Sequence, residues 1–149
     1  MKDNIFGNLK DWGIVLEKLE AISKNGKLNN YQEDLIRLLR FNNNWRLREA
    51  AIESLAAVEV PGSGLFREVF SLVMRNDLYY DVRILAADGL EKLTANIVRG
   101  KTFDGGRLKE ILVEILEGME DLLASSESPK FHNAIRRSRE RIRIIEAEI

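Results

Sequence analysis

An all-α fold of about seven helices stacked as hairpins is expected for this 149-residue chain, on three observations. Almost every segment between its glycine, proline and asparagine breaks carries apolar residues at helical spacing, and none alternates like a strand. The breaks themselves are few: Pro61 and Pro129, with glycines at Gly26, Gly62–Gly64, Gly100 and Gly105–Gly106. Residues 31–60 also superimpose without gaps on residues 66–95, an offset of 35. A repeated period of that size marks stacked supersecondary units.

The elements follow in order. A first helix over about Leu9–Lys24 has its stripe at Leu9, Trp12, Val15, Leu16, Leu19 and Ile22 and stops at Asn25-Gly26. A second starts after Asn30, with Glu33 placed for a capping box and Tyr31, Leu35, Leu38 and Leu39 facing inward. A third follows Asn42-Asn43-Asn44, with Leu47, Ala50, Ala51, Ser54, Leu55 and Val58 inside. A fourth follows Gly64 with Leu65, Phe66, Val69, Phe70 and Val73, and a fifth starts near Tyr79 with Val82, Leu85, Ala86, Leu90 and Leu93. A loop is expected over 96–106. The sixth helix has the wide stripe Leu108, Ile111, Leu112, Ile115, Leu116, Met119, Leu122 and Leu123. The seventh is announced by Ser128-Pro129, an N-cap and a first-turn proline. Its seam of Phe131, Ile135, Ser138, Ile142, Ile145 and Ile149 needs another helix, in this chain or in a second copy. A homodimer through that seam is one expectation.

The repeat matches in polarity as well as period. Glu33 meets Glu68, Arg40 meets Arg75, Arg48 meets Arg83, Ala51 meets Ala86 and Leu55 meets Leu90, while Trp45 meets Tyr80 and Leu47 meets Val82. The runs LREAAIESL at 47–55 and VRILAADGL at 82–90 resemble the second helix of a HEAT repeat, with an aliphatic residue and Arg first and Ala and Leu on the packing face. The resemblance implies a short right-handed α-solenoid of HEAT-like hairpins in a single domain. Its parts are a capping helix over 1–29, repeats over 30–60 and 64–99, and a degenerate hairpin over 105–149. It also implies an inter-repeat ladder, for which Asp77 and Arg83 keep the HEAT spacing; Asn42 and Arg48 keep it with an amide in place of the acid.

Composition narrows the function. With no cysteine and one histidine, His132, there is no thiol chemistry and no His/Cys zinc site. No loop has calcium-site spacing, no glycine cluster carries a phosphate-loop lysine, and no cofactor is expected. His132 has no nucleophile or orienting acid near it in sequence, so a surface histidine is expected rather than a base. No enzyme activity is indicated. No run is apolar enough to span a membrane and no leader is seen at Met1–Gly7, so a cytoplasmic protein is expected.

Net charge is −1, but it is unevenly placed. Residues 61–129 hold eight basic and twelve acidic side chains, and residues 130–149 hold six and three. The acids Glu110, Glu114, Glu117, Glu120 and Asp121 crowd helix six, and Arg136, Arg137, Arg139, Arg141 and Arg143 crowd helix seven. Ion pairing across that hairpin is the expectation. A nucleic-acid patch on the arginine-rich helix is the alternative, diluted by Glu140, Glu146 and Glu148.

In HEAT stacks the second helices line a concave face where partners often lie. By that resemblance the outward positions here are Arg46, Glu49, Glu53, Asp81, Ile84, Asp88 and Glu91, a mostly acidic stripe. Such a stripe argues against a nucleic-acid backbone and for a protein or basic peptide segment as partner. Trp45 and Tyr80, at equivalent positions, either pack between hairpins or line a groove.

Overall fold

A computed structural model describes residues 5–100 and 105–148. Among the described residues all regular structure is helical, in seven α-helices: α1 Trp12–Lys24, α2 Gln32–Arg40, α3 Trp45–Glu53, α4 Ser63–Met74, α5 Tyr80–Gly100, α6 Gly105–Ala124 and α7 Pro129–Ala147. Single turns of 3₁₀ helix lead into α2 at Leu28–Tyr31 and out of α3 at Ser54–Ala57.

Three antiparallel pairs, α2/α3, α4/α5 and α6/α7, follow from the short breaks between their members. Like members of successive pairs touch: α2 packs on α4 and α4 on α6, while α3 packs on α5 and α5 on α7. The result is two layers, α2–α4–α6 and α3–α5–α7, with α1 packed beside α3 at the start of the second. One apolar cluster runs through them, from Phe6, Val15 and Leu19 through Leu35, Leu55, Phe66 and Leu90 to Met119, Phe131 and Ile142. The repeated alanines are fully buried, because small side chains let α3 and α5 approach their neighbours closely. Two glycines do the same: a Cβ on Gly89 would stand 2.6 Å from Leu55 Cδ1, and one on Gly118 would meet the Phe70 ring well inside contact distance.

Local signals act as their chemistry requires. The Asn44 side chain caps α3 by accepting from the Leu47 amide at 3.2 Å, and Ser128 caps α7 by accepting from the Phe131 amide at 3.2 Å. The α3–α4 linker is held by side chains from the start of α2 and the turn before it. Asn29 Oδ1 accepts from the Val60 amide at 2.7 Å, and Gln32 both donates to the Val60 carbonyl at 2.8 Å and accepts from the Gly62 amide at 2.7 Å. Asn96 Nδ2 donates to the Ala56 and Val58 carbonyls at 3.0 and 2.9 Å, satisfying the end of the α3 segment.

Four expectations need correction. The first helix begins at Trp12, not Leu9, and Trp12 is 43% exposed instead of lying in the stripe. Tyr31, not Asn30, is the N-cap of α2, and its side chain makes no capping bond, because the chain enters through a 3₁₀ turn. The expected 96–106 loop is largely helix: α5 continues through Gly100, where Ile97 is buried and the Asn96 amide still finds the Ala56 and Val58 carbonyls after α3. Within that loop, residues 101–104 lie outside the described residues. The α7 seam is filled from within the chain: Phe131, Ile135, Ser138 and Ile142 are buried, and α7 packs on α5 and α6. The dimer expected through it therefore lacks that surface; Ile149 lies outside the described residues.

Candidate functional site

The outer surface of the α3–α5–α7 layer was the expected site, and helical spacing places its residues well in α3. Arg46 and Glu53 are exposed and Glu49 is half-buried. The Arg46 guanidinium lies 5.7 Å from the centroid of the Trp45 ring, which is 67% exposed. Glu49 and Glu53 have no ion-pair partner among the described residues.

In α5 the stripe is less acidic than its sequence. Asp81 is exposed and takes Lys130 of α7 at 3.1 Å, and Asp88 takes Lys92 one turn on at 3.1 Å. Ile84 is half-buried against the core. Glu91 is not on the free surface: it is buried, its Oε2 accepts from Ser138 Oγ at 2.8 Å, and its Oε1 accepts from Arg141 Nη1 at 3.1 Å. The reason is α7, which packs along α5 and covers that side of it. Its Ser138 and Arg141 supply the hydrogen bonds without which a buried carboxylate would be costly. Spacing within α5 alone could not reveal a cover supplied from about fifty residues away.

Between α5 and α7 lies an open groove of about 460 Å³ lined by Asp88, Glu91, Lys92, Ala95, Arg141, Ile144 and Ile145. Ile144 is 50% exposed. The groove continues the outward α5 positions Asp81, Ile84 and Asp88 by steps of three and four residues. It joins an apolar floor to a rim of mixed charge, and its α7 wall was absent from the residues singled out by spacing.

The expected ladder residues make other pairs. Asp77 does not meet Arg83. Its two carboxylate oxygens accept from Arg75 Nε and Nη2 at 2.9 and 2.7 Å, and that bidentate bond holds its carboxyl below the ordinary range. Arg83, buried in α5, donates from Nε to the Val73 carbonyl at 2.9 Å, lies 4.1 Å from the Phe131 ring centroid, and places Nη1 3.6 Å from Glu127 of the next hairpin. Arg48, its counterpart in α3, is also buried; its Nε and Nη2, like Nη2 of Arg83, make no hydrogen bond. Burial pushes its guanidinium below the ordinary value, with nearby Arg75 adding to the effect and Asp77 opposing it.

Trp45 and Tyr80 part company. Tyr80 stacks on Phe131 at 5.1 Å between centroids and donates from its hydroxyl to Glu127 at 2.8 Å. Trp45 makes no such ring contact and stays exposed, as does Tyr79 at 86%.

The remaining sequence candidates are structural in their contacts. His132 is half-buried, with Nε2 3.1 Å from the Leu122 carbonyl, tying α7 to the end of α6. Pairing across the α6/α7 hairpin occurs at Arg139–Glu120, 3.4 Å, and Lys109–Glu146, 3.6 Å. Arg143 instead takes Glu140 on its own helix, and Glu114 takes Arg67 of α4. Three of the five α7 arginines thus already hold a carboxylate. No group of His, Asp and Glu among the described residues is placed to hold a metal ion, and no described helix is long and apolar enough to cross a membrane. Comparison with models of protein families, with curated proteins and with solved structures finds no match to this chain.

Proposed function

We propose that the protein is a non-enzymatic interaction module, a short HEAT-like α-solenoid that binds a protein or peptide segment along the outer surface of its α3–α5–α7 layer. The observation that carries this reading is the groove between α5 and α7, whose floor at Ala95, Ile144 and Ile145 would take an apolar anchor. On α3, the other neighbour of α5 in this layer, Glu49 and Glu53 leave carboxylates for basic residues of the same segment. Regular stacking of like helices supports the solenoid assignment and makes the surface a preformed one, which lowers the ordering cost of binding.

The test is an affinity capture from native lysate with wild type, with Glu49→Lys/Glu53→Lys/Asp88→Lys, and with Ile144→Glu. Glu91 is left intact because it is buried. A protein held by wild type and released by both variants supports the reading. Identical capture by all three removes it, and salt-sensitive capture of nucleic acid that disappears with Arg136→Ala/Arg137→Ala would favour the arginine-rich α7 instead.

A further inference from the structure

One wall of the α5/α7 groove is the last two turns of α7, and its side chains follow a definite order. Arg141, Ile144, Ile145 and Glu148 are spaced by three, four and seven residues, which puts them on one face of the helix. Arg141 spends one nitrogen on the buried Glu91 and still has 57% of its side chain exposed. Ile144 is 50% exposed, with half-buried Ile145 and Ala95 beside it in the groove. Glu148, the C-cap of α7, is exposed and has no ion-pair partner among the described residues.

Along this face the order is base, two isoleucines, acid. The midpoint between Arg141 and Glu148 falls between the two isoleucines, so the face read backwards is the charge complement of the face read forwards. An identical helix laid antiparallel therefore sets each Arg141 against the other copy's Glu148, and isoleucine against isoleucine. The helix end favours the same pairing. Glu148 stands at the C-terminus of α7, where the aligned peptide dipoles favour a base, and an antiparallel copy brings Arg141 there. The opposite wall does not disturb it, since Asp88 and Lys92 of α5 pair with each other at 3.1 Å and leave that wall neutral. A segment of one strong charge gains little from such a groove, whereas a copy of this face gains two ion pairs. The lining residues recur at helical intervals on both walls, the shape that the ridge of a third helix fills.

We propose that the occupant of the groove is α7 of a second copy, packed antiparallel about a two-fold axis that passes between Ile144 and Ile145. The proposal rests on the reading of the groove as a docking surface and names its partner. The buried seam of Phe131, Ile135 and Ile142 takes no part, because α5 and α6 already fill it. Two helical turns from each copy make a contact at the low end of interface size, so the dimer is weak and depends on concentration.

The test has two arms, both on the full chain. Sedimentation velocity from about 10 μM to about 1 mM is expected to show a monomer converting to a dimer. Ile144→Glu, at an exposed position, should stay monomeric throughout with unchanged helix content. Glu148→Arg should raise the dissociation constant about tenfold by turning both ion pairs into repulsions. The second arm uses the absence of native cysteine. A disulfide needs its two Cα atoms within about 7 Å, so Ile144→Cys, next to the axis, should link two copies under mild oxidation. Val113→Cys, at an exposed position on α6, should not. A monomer at every concentration overturns the proposal. So does a dimer that Ile144→Glu leaves intact, or linking that is equal at the two cysteine positions. If wild type is monomeric yet its lysate capture is still lost in Ile144→Glu, the second copy is ruled out and the groove reading stands with another polypeptide in it. If that capture is also unchanged, both fall.

Discussion

At the residue scale the molecule is governed by close approach and by how buried polar groups are satisfied. Gly118 is the sharpest case. It sits inside α6, where alanine is intrinsically better by about 1 kcal/mol. A Cβ there would press on the Phe70 ring of α4 at three ring atoms, and overpacking of this kind costs about 1–3 kcal/mol. Gly118→Ala is therefore expected to lower the midpoint of urea unfolding in spite of its better helix propensity. Adding Phe70→Leu should recover stability relative to Gly118→Ala alone, and a stabilised single variant would show that α4 and α6 do not approach as described. Glu91 teaches the companion lesson. By spacing it belonged with Asp88 on the outer stripe, yet Ser138 and Arg141 enclose it. Its charge is spent inside the protein and is not offered to a partner.

At the scale of elements, α7 changes the most between sequence and structure. Its Ser128-Pro129 start and its apolar seam were legible because capping and helical period are local properties. What the seam packs against was not, since an apolar stripe is equally satisfied by an intramolecular or an intermolecular helix. The structure places Ile142, fully buried, in the chain's own core. Ile142→Ala is accordingly expected to cost about 2–5 kcal/mol in chemical denaturation and to leave the native mass in light scattering unchanged. A loss of mass without a loss of stability would restore the dimer. The length of α5 is a second element-level difference. Its last turns looked like loop because Asn96, Gly100 and the residues after them are poor helix formers. Asn96 is helical because its side chain is needed by the Ala56 and Val58 carbonyls, a tertiary demand that overrides propensity.

At the scale of the whole molecule, a single apolar cluster spans the seven described helices, while the ion pairs among the described residues lie mostly at the surface. Asp77, Glu20 and Glu140 are each held below the ordinary carboxylate range, in every case first by a hydrogen bond from a neighbouring base: Arg75, Lys24 and Arg143. A carboxyl depressed in the folded state contributes stability above its unfolded value, near pH 4, and loses it as pH falls through the lower folded value. The bases Lys24, Arg75 and Arg143 are raised by the same bonds, so their share is lost only far into the alkaline range. Thermal midpoints should therefore be level through neutrality and decline below about pH 4. Because these pairs are exposed, the decline should be shallow and flattened by salt. Helix content and tryptophan fluorescence should report one common transition throughout, as expected of a single core. A steep loss well above about pH 4 would contradict this account.

The sequence by itself determined that the chain is helical, that it has about seven helices, the number found among the described residues, where most of them start, and which faces are apolar. These follow from local backbone chemistry and from the 3.6-residue period, and both act within a few residues of chain. The 35-residue offset even pairs the buried arginines and alanines of successive hairpins. Only the tertiary structure decided which charges remain available. Glu91, Asp81 and Arg83 each take partners from a hairpin about fifty residues away, whereas Glu49 and Glu53 do not. Pairing between side chains depends on where helices cross and diverge, and crossing geometry is set by the summed packing of the whole core.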